Sequence, residues 1–450
     1  MKRFFILLSF VCLFGNIQAQ TQQLAFPGAE GFGRYALGAR GVSNPEVYHV
    51  TNLNDAGSGS LRDAVSKPGR IVVFDVSGVI KINSRIVFSG NSYIAGHTAP
   101  GDGVVIYGNG VSFSGADNLI VRYLRIYMGR GGDAGVDAAT VAYGSNMIFD
   151  HCSVLWGRDE NFSVSGERTI PVNITIQHCL IGQGLISHSC GGLIQTVGGS
   201  SIIGCLYIDN ETRNPKVKGL NQFINNVIYN WGGSNGYIFA DSQNPSWAWM
   251  EGNYFIAGPG SGPWPYTRAR ENFQLFAKNN FVDNNKNGML DGADTPVAHY
   301  GNGNSGGPPT MVASLDDFKS SNCTTCGNIP KPFLHILQPI LSPKEAFERV
   351  VASVGASLPV RTEIDAYLIE KLLSFGTASA SFIRDESENG IYNNVGKVNT
   401  GEKMKDTDGD GIPDEWEIAN GLNPNDASDA LQISKSGYLN IENYINSIKN

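Results

Sequence analysis

The sequence predicts an all-β chain wound as a right-handed parallel β-helix, a solenoid, and three observations carry that prediction. The first is a pattern that returns along the chain: Asn118-Leu-Ile-Val-Arg-Tyr-Leu124, Asn146-Met-Ile-Phe-Asp-His-Cys152, Asn173-Ile-Thr-Ile-Gln-His-Cys179 and Ile202-Ile-Gly-Cys205. It continues through Ile224-Asn-Asn-Val227, Met250-Glu-Gly-Asn-Tyr254 and Phe276-Ala-Lys-Asn-Asn-Phe281. Taking Leu124, Cys152, Cys179, Cys205, Val227, Tyr254 and Phe281 as equivalent gives steps of 28, 27, 26, 22, 27 and 27 residues. A period in the twenties marks a solenoid. Secondly, apolar residues alternate within each unit, as in a strand with one buried face, and no unit has helical spacing. Thirdly, 55 glycines and only 16% charged residues suit short strands joined by tight turns.

Residues 1–19 begin with Lys2 and Arg3, continue through an apolar run to Phe14 and close at Ile17-Gln-Ala19. This reads as a secretory signal peptide, with Cys12 discarded in it and the mature chain exported to the periplasm or the exterior. The apolar run is too short to span a bilayer and none later is longer, so no membrane insertion is expected. Export permits disulfides, and Cys323-Thr-Thr-Cys326 is the expected local pair. A net charge of −8 argues against a nucleic-acid partner, but a locally basic or cation-bearing cleft could still take a polyanion. A capped solenoid is expected to be a monomer.

Residues 20–375 form the expected β-helix domain. Stacking of equivalent positions would put Cys152, Cys179 and Cys205 in one interior ladder, and Asn226, Asn253 and Asn280, one place earlier in their units, at bends where they can bond backbone. Ser342-Pro-Lys-Glu345 is a capping box with proline at the first helical position, so a helix should run through Ala346, Val350 and Val351. That helix and residues 364–373 are expected outside the solenoid. Residues 376–405 are polar and rich in Gly and Asn, which reads as a linker or loose loop.

Residues 406–450 form a separate small segment. Asp406, Asp408, Asp410, Asp414 and Glu417 fall at positions 1, 3, 5, 9 and 12 of an EF-hand spacing, with Gly411 at 6 and the Ile412 carbonyl at 7, which predicts a structural calcium loop. Asp283-Asn-Asn285-Lys-Asn287-Gly288-Met289-Leu-Asp291-Gly-Ala-Asp294 repeats the spacing with fewer charges, and reads equally as a calcium site or as a turn.

A further cluster is distributed over the coils: Asp133 and Asp137, then Asp159-Glu160, then Arg213-Asn-Pro-Lys216-Val-Lys218. Residues just beyond successive strands project from one face of a β-helix, so these acids can converge on a cation with Arg213 and Lys218 beside them; ordinary surface salt bridges are the competing reading.

Four motifs together resemble the pectate lyases of polysaccharide lyase family 1, of the secreted bacterial type. They are Phe26-Pro-Gly-Ala-Glu-Gly-Phe-Gly33, Gly59-Ser-Leu-Arg-Asp-Ala64, Phe149-Asp-His-Cys-Ser153 followed by Trp156-Gly-Arg-Asp-Glu160, and Arg213-Asn-Pro-Lys-Val-Lys218. The resemblance covers roughly residues 25–375 and implies calcium-dependent β-elimination of de-esterified pectin. It implies Asp137 and Asp159 as calcium carboxylates. The family's third ligand falls at Ser163, which leaves Glu160 as the nearby carboxylate to stand in. Arg213 matches the catalytic base, and Lys218 stands where a second arginine binds the substrate carboxylate, with Lys216 and Arg158 as further substrate contacts. A family lysine expected within 183–192 is absent, and His188 is the basic residue there. Asp150-His151 matches a family dyad, read here as bracing the strand under the cleft. The alternatives are a polygalacturonase-type β-helix hydrolase, which would act through two or three acids and survive chelation, and a non-catalytic pectin-binding solenoid.

Overall fold

The computed structural model describes residues 22–450 apart from 167–168, 234, 243, 302–306, 320–338, 380–381 and 450. Three parallel sheets run the length of the coil, and each turn passes through them in one order. Sheet 1 includes strands Ala139–Val141, Phe162–Val164, Tyr237–Phe239 and Tyr266–Thr267. Sheet 2 includes Ser145–Asp150, Val172–Gln177, Ser246–Glu251 and Phe273–Lys278. Among the described residues, sheet 3 carries nine parallel strands, from Gly78–Lys81 to Phe281–Asp283. Leu193–Ile203 and Lys216–Ile224 run straight through sheets 1 and 2 and join them into one 17-stranded array. The alternating residues that predicted the strands point inward: Val164, Ile194, Val217 and Phe239 are buried in one core with Phe149, Ile176 and Phe223.

A tight bend joins sheet 2 to sheet 3. Its column of inward residues is continuous but one register away from the expected alignment. The backbone N–H of Cys152 donates to Cys179 Sγ (3.3 Å), that of Cys179 to Cys205 Sγ (3.4 Å) and that of Cys205 to Asn226 Oδ1 (2.9 Å). Asn226 then bonds to Asn253 and Asn253 to Asn280. Cys205 is therefore equivalent to Asn226, not Val227, and the cysteine and asparagine ladders are one. From Cys179 onward each member accepts a backbone N–H of the preceding turn that would otherwise be buried without a partner. Cys152, Cys179, Cys190 and Cys205 are free thiols, while Cys323 and Cys326 lie outside the described residues, as does the expected signal peptide. Asn253 accepts the Asn226 N–H and donates to the carbonyls of Phe223 and Glu251. Asn253→Ala is thus expected to cost about 1–3 kcal/mol for each buried group left unpaired, measured by urea unfolding.

The glycine-rich Phe26–Gly33 stretch lies across the outer face of sheet 2. Gly33 donates its N–H to Thr175 Oγ1 (2.8 Å), and a Cβ on Gly33 would stand 2.0 Å from the Met147 carbonyl oxygen, so only glycine fits. Ser60 caps the short helix Leu61–Ala64, whose Leu61 and Ala64 join the core.

The capping box forms as expected: helix Pro343–Ser353 has Ser342 as N-cap with Glu345 closing back on it, and a second helix spans Glu363–Leu372. Their buried faces, including Phe347, Val350, Ile364 and Leu368, cover the outside of sheet 3. Residues 376–405 depart from the loose-loop expectation. Ile383 and Val395 are buried against that same sheet, and Glu386 accepts hydrogen bonds from Tyr107 and the Arg130 N–H. The strap is held by a few anchors spaced among polar residues, which composition alone does not register. Among the described residues no helix is long and apolar enough to cross a membrane.

Candidate active site

The loops from sheet 3 back to sheet 1 carry the charged residues. Ala139 pairs with Phe162, so Asp137 and Glu160, each two residues ahead, occupy equivalent places in successive turns. The Glu160 N–H donates to Asp137 Oδ1 (3.1 Å). The column continues as Glu160 bridges to Cys190 and Cys190 to Thr212, which delivers Arg213 beside the acids. One carboxylate oxygen from each of Asp137, Asp159 and Glu160 lies within 4.8 Å of the others. Burial pushes the Glu160 carboxyl up to about 8, and Asp137 and Asp159 add to the rise against the opposing pull of Arg213. Three carboxylates crowded this closely in a half-buried place call for a cation, and an all-oxygen donor set is the kind that calcium takes. The residues present therefore fit the ion.

Arg213 sits in the left-handed region (φ 57°) and its guanidinium pairs with Glu160. Burial works against its charge, but Cys190 and Glu160 outweigh burial and hold it above its ordinary value. The loop beneath is set by a buried asparagine chain that no sequence motif marks. Asn161 donates to Asn210 Oδ1 (2.7 Å), Asn210 to Asn214 Oδ1 (2.9 Å), and Asn161 Oδ1 accepts the Gly157 N–H. These residues carry no charge and no motif spacing; their only sequence trace is Asn214 beside Arg213.

The other expected residues are distributed around this centre. Ser163 is paired with Thr140, whose hydroxyl bonds Asp137, so it lies on the outer face next to the acids, accepting the Leu193 N–H. His188 brings Nε2 within 3.2 Å of Asp159, so a group able to carry positive charge does occupy the stretch that lacks the family lysine. Arg158 turns to the Gly132 carbonyl of the preceding loop. Asp133 is exposed and belongs to no acid cluster among the described residues. Lys216 approaches Asp241 at 3.6 Å, and Arg268 and Arg270 reach the same carboxylate at 3.6 and 3.7 Å, so three cations share one acid. Burial holds Lys216 below its ordinary value, with Lys218, Arg213 and Arg268 reinforcing the shift. Lys218 lines a small cleft with Gln195, Ser242 and Ser246. A basic strip thus extends along the solenoid from the acids.

Asp150 and His151 stand away from this centre, at the bend between sheets 2 and 3. Asp150 is buried and accepts from Arg122 (2.8 Å) and Gln177 (2.8 Å), with His151 Nδ1 at 2.9 Å.

No family model matches the sequence. Curated fungal proteins do: "Probable pectate lyase C" of Neosartorya fischeri is 50% identical over 431 residues, 96% of this chain and 95% of the relative. The chain belongs to the pectate lyase family. The protein of the same name from Emericella nidulans is also 50% identical, over 96% of this chain and 94% of its own. These relatives are fungal, where the motifs pointed to a secreted bacterial type. The β-helix itself is shared with the solved "thermostable pectate lyase PL 47" (TM-score 0.52, 14% identity, 74% of this chain and 98% of the other). A "Pectate lyase bound to hexasaccharide" superposes with a TM-score of 0.50 at 13% identity, covering 75% of this chain and 99% of the other.

The C-terminal loop packs on this pectate lyase fold as well. Asp406 accepts the N–H groups of Gly409 (2.8 Å) and Gly411 (3.2 Å), and Asp410 Oδ1 accepts that of Ile412 (2.8 Å), while the Ile412 side chain enters an apolar cluster. Asp406, Asp408 and Asp410 converge, as do Asp410, Glu417 and Asp429. Asp414 belongs to neither group: its oxygens accept from Lys405 and from the N–H and hydroxyl of Thr407. Burial, and then the surrounding carboxylates, push Asp410 and Glu417 up to about 7. The Asp283–Asp294 turn closes on itself instead, with Asn285 and Asn287 donating to Asp291.

Proposed function

We propose that the chain cleaves de-esterified pectin within the polymer by calcium-dependent β-elimination, releasing unsaturated oligogalacturonides. The observation that carries this is the convergence of Asp137, Asp159 and Glu160 next to Arg213 in a member of the pectate lyase family. Asp137, Asp159 and Glu160 are the residues that would hold calcium. When bound, the ion neutralises the substrate carboxylate and stabilises the enolate-like charge that develops as the C5 proton leaves.

The chain's own groups divide the remaining work. Arg213 takes the C5 proton, which requires relief of the Glu160 ion pair that otherwise keeps the guanidinium charged. Lys218 pairs with a galacturonate carboxylate, and Lys216 and Arg158 engage neighbouring units. The elimination breaks the C5–H and C4–O bonds and forms a C4–C5 double bond; the C4 oxygen departs on the other half of the polymer and takes up a proton in place of the one lost from C5, so no water is consumed. A hydrolase would need an acid and a base held about 6.5–9.5 Å apart in the inverting case. Here the three acids are bunched within 4.8 Å, as cation ligands are. The apolar N-terminal stretch supports secretion as the address, and the C-terminal loop supports a second, structural calcium.

Activity on polygalacturonate is expected to vanish in chelator and return with calcium. Asp159→Asn should raise the calcium needed for half-maximal rate by about tenfold or more, since affinity follows the ligand charge count. Full activity in excess chelator would overturn the assignment.

A further inference from the structure

The C-terminal segment holds four carboxylate oxygens that are shielded from water and accept no hydrogen bond: Oδ2 of Asp410, both oxygens of Glu417 and Oδ1 of Asp429. Both oxygens of Asp408 are shielded as well. Glu417 is 0% exposed, Asp410 4% and Asp429 7%. Buried carboxylates without donors are costly unless they are paired or neutralised, and these fall in two groups, Asp406–Asp408–Asp410 and Asp410–Glu417–Asp429, that share Asp410. Among the described residues no Lys or Arg forms an ion pair with Asp408, Asp410, Glu417 or Asp429; the nearest lysine contact, Lys405, is made to Asp414. Oxygen donors alone, several of them carboxylates and none of them His or Cys, select a hard divalent cation large enough for a high coordination number.

We propose that a structural calcium ion is held here by Asp406, Asp408, Asp410, Glu417 and Asp429, with Asp429 coming from outside the twelve-residue loop and Asp414 serving as a helix-start anchor instead of a ligand. This rests on the reading of the loop as a calcium site and assigns it a different ligand set and a task. The task follows from where Asp429 sits. It lies between the loop's helix, Asp414–Asn420, and the last helix, Asn440–Ser447. Its other oxygen accepts the Asn423 N–H, and its carbonyl accepts from the Asn440 side chain. The ion would tie the loop to the segment that seats the last helix.

That helix closes one wall of the solenoid. Ile441 and Ile445 pack with Ile71, Tyr93, Ile120 and Ile148 on the outer face of sheet 2. The Ile445 carbonyl lies 3.1 Å from His97 Nε2, Asn446 accepts from Arg122, and Glu442 pairs with Arg40. Calcium at the loop therefore fastens the C-terminal segment onto the β-helix and covers the Arg122–Asp150 pair.

The test uses the full chain and calcium itself, with three readouts: titration calorimetry, thermal unfolding, and amide exchange over residues 439–448. The wild type should bind calcium at the C-terminal site in addition to the cleft, gain thermal stability on binding, and lose exchange protection over 439–448 in chelator. Asp429→Asn keeps the side-chain shape and its N–H contact. It should weaken that site by about tenfold or more and lose most of the calcium-induced rise in Tm, while its lyase rate at saturating calcium stays within about twofold. Asp414→Asn should keep the calcium response. Unchanged protection over 439–448 in the chelated wild type, or an undiminished response in Asp429→Asn, would overturn the proposal. Asp137→Asn disables the cleft without touching this segment, so it should lose activity yet retain the thermal response; failure of the lyase reading and failure of this one are thereby separable.

Discussion

Arg213→Ala should lower kcat on polygalacturonate by about 10²–10⁴-fold, the range contributed by a positioned proton acceptor. It should leave the Tm near that of the wild type, because the side chain is 30% exposed and, among the described residues, is ion-paired to Glu160 alone. The pairing makes the expectation specific. A structural arginine would show its loss in unfolding and little in rate, whereas a base shows the reverse. Calcium affinity should be retained or increased in the variant, since the guanidinium no longer competes for the Glu160 carboxylate. Initial rates at saturating substrate, with calorimetric calcium titration of the same sample, check both halves. A rate within about threefold of the wild type would remove Arg213 from the chemistry.

Asp150→Asn should act through stability. Its carboxylate is 1% exposed and faces Arg122, which also donates to Tyr93 and Asn446 and lies 4.1 Å over the Phe26 ring. One ion pair therefore joins the N-terminal segment, sheet 2 and the C-terminal helix. Neutralising one partner leaves a buried charge uncompensated, at about 3–5 kcal/mol. Burial alone would raise the Asp150 pKa, but His151 and Arg122 outweigh it and hold the carboxyl well below the usual range. Because the folded value lies below the unfolded value of about 3.9, this stabilisation is present above that pH and is lost as the pH falls toward the folded value. Urea unfolding at neutral pH should show the full difference between wild type and variant, and the gap should narrow as the solution is acidified below about pH 4.

The coil was legible because its two periods, alternation along a strand and recurrence from turn to turn, are both imposed by burial. The register was less so. Aligning turns by apolar residues placed Val227 opposite Cys205, yet the column is selected by the ability to accept a backbone N–H, which Asn226 satisfies and valine does not. Turn spacing brings up the candidate acids as a cation cluster or as surface salt bridges, and only the resemblance chooses between the two. Asp137 and Glu160 are 23 residues apart, and only the pairing of Ala139 with Phe162 brings them together. The linkage of Asn161 to Asn210 and Asn214, and the gathering of Lys216, Arg268 and Arg270 on Asp241, could not be read from the sequence, since each depends on contacts between turns. Asp429 lies twelve residues past Glu417, beyond any fixed-length loop motif. Polar composition over 376–405 hid a docked strap because its anchors, among them Ile383, Glu386 and Val395, are spaced singly among polar residues.

The proposed elimination, assisted by a cation in the Asp137–Asp159–Glu160 cluster, leaves an unsaturated uronide at one new chain end. The most direct measurement is ultraviolet absorbance of unsaturated uronides from purified chain and polygalacturonate, with calcium and then with chelator. Absorbance should rise with calcium, and both the chelator and Arg213→Ala should abolish the rise. New reducing ends without that absorbance, or an absorbance rise indifferent to the chelator, would contradict the cation-assisted elimination.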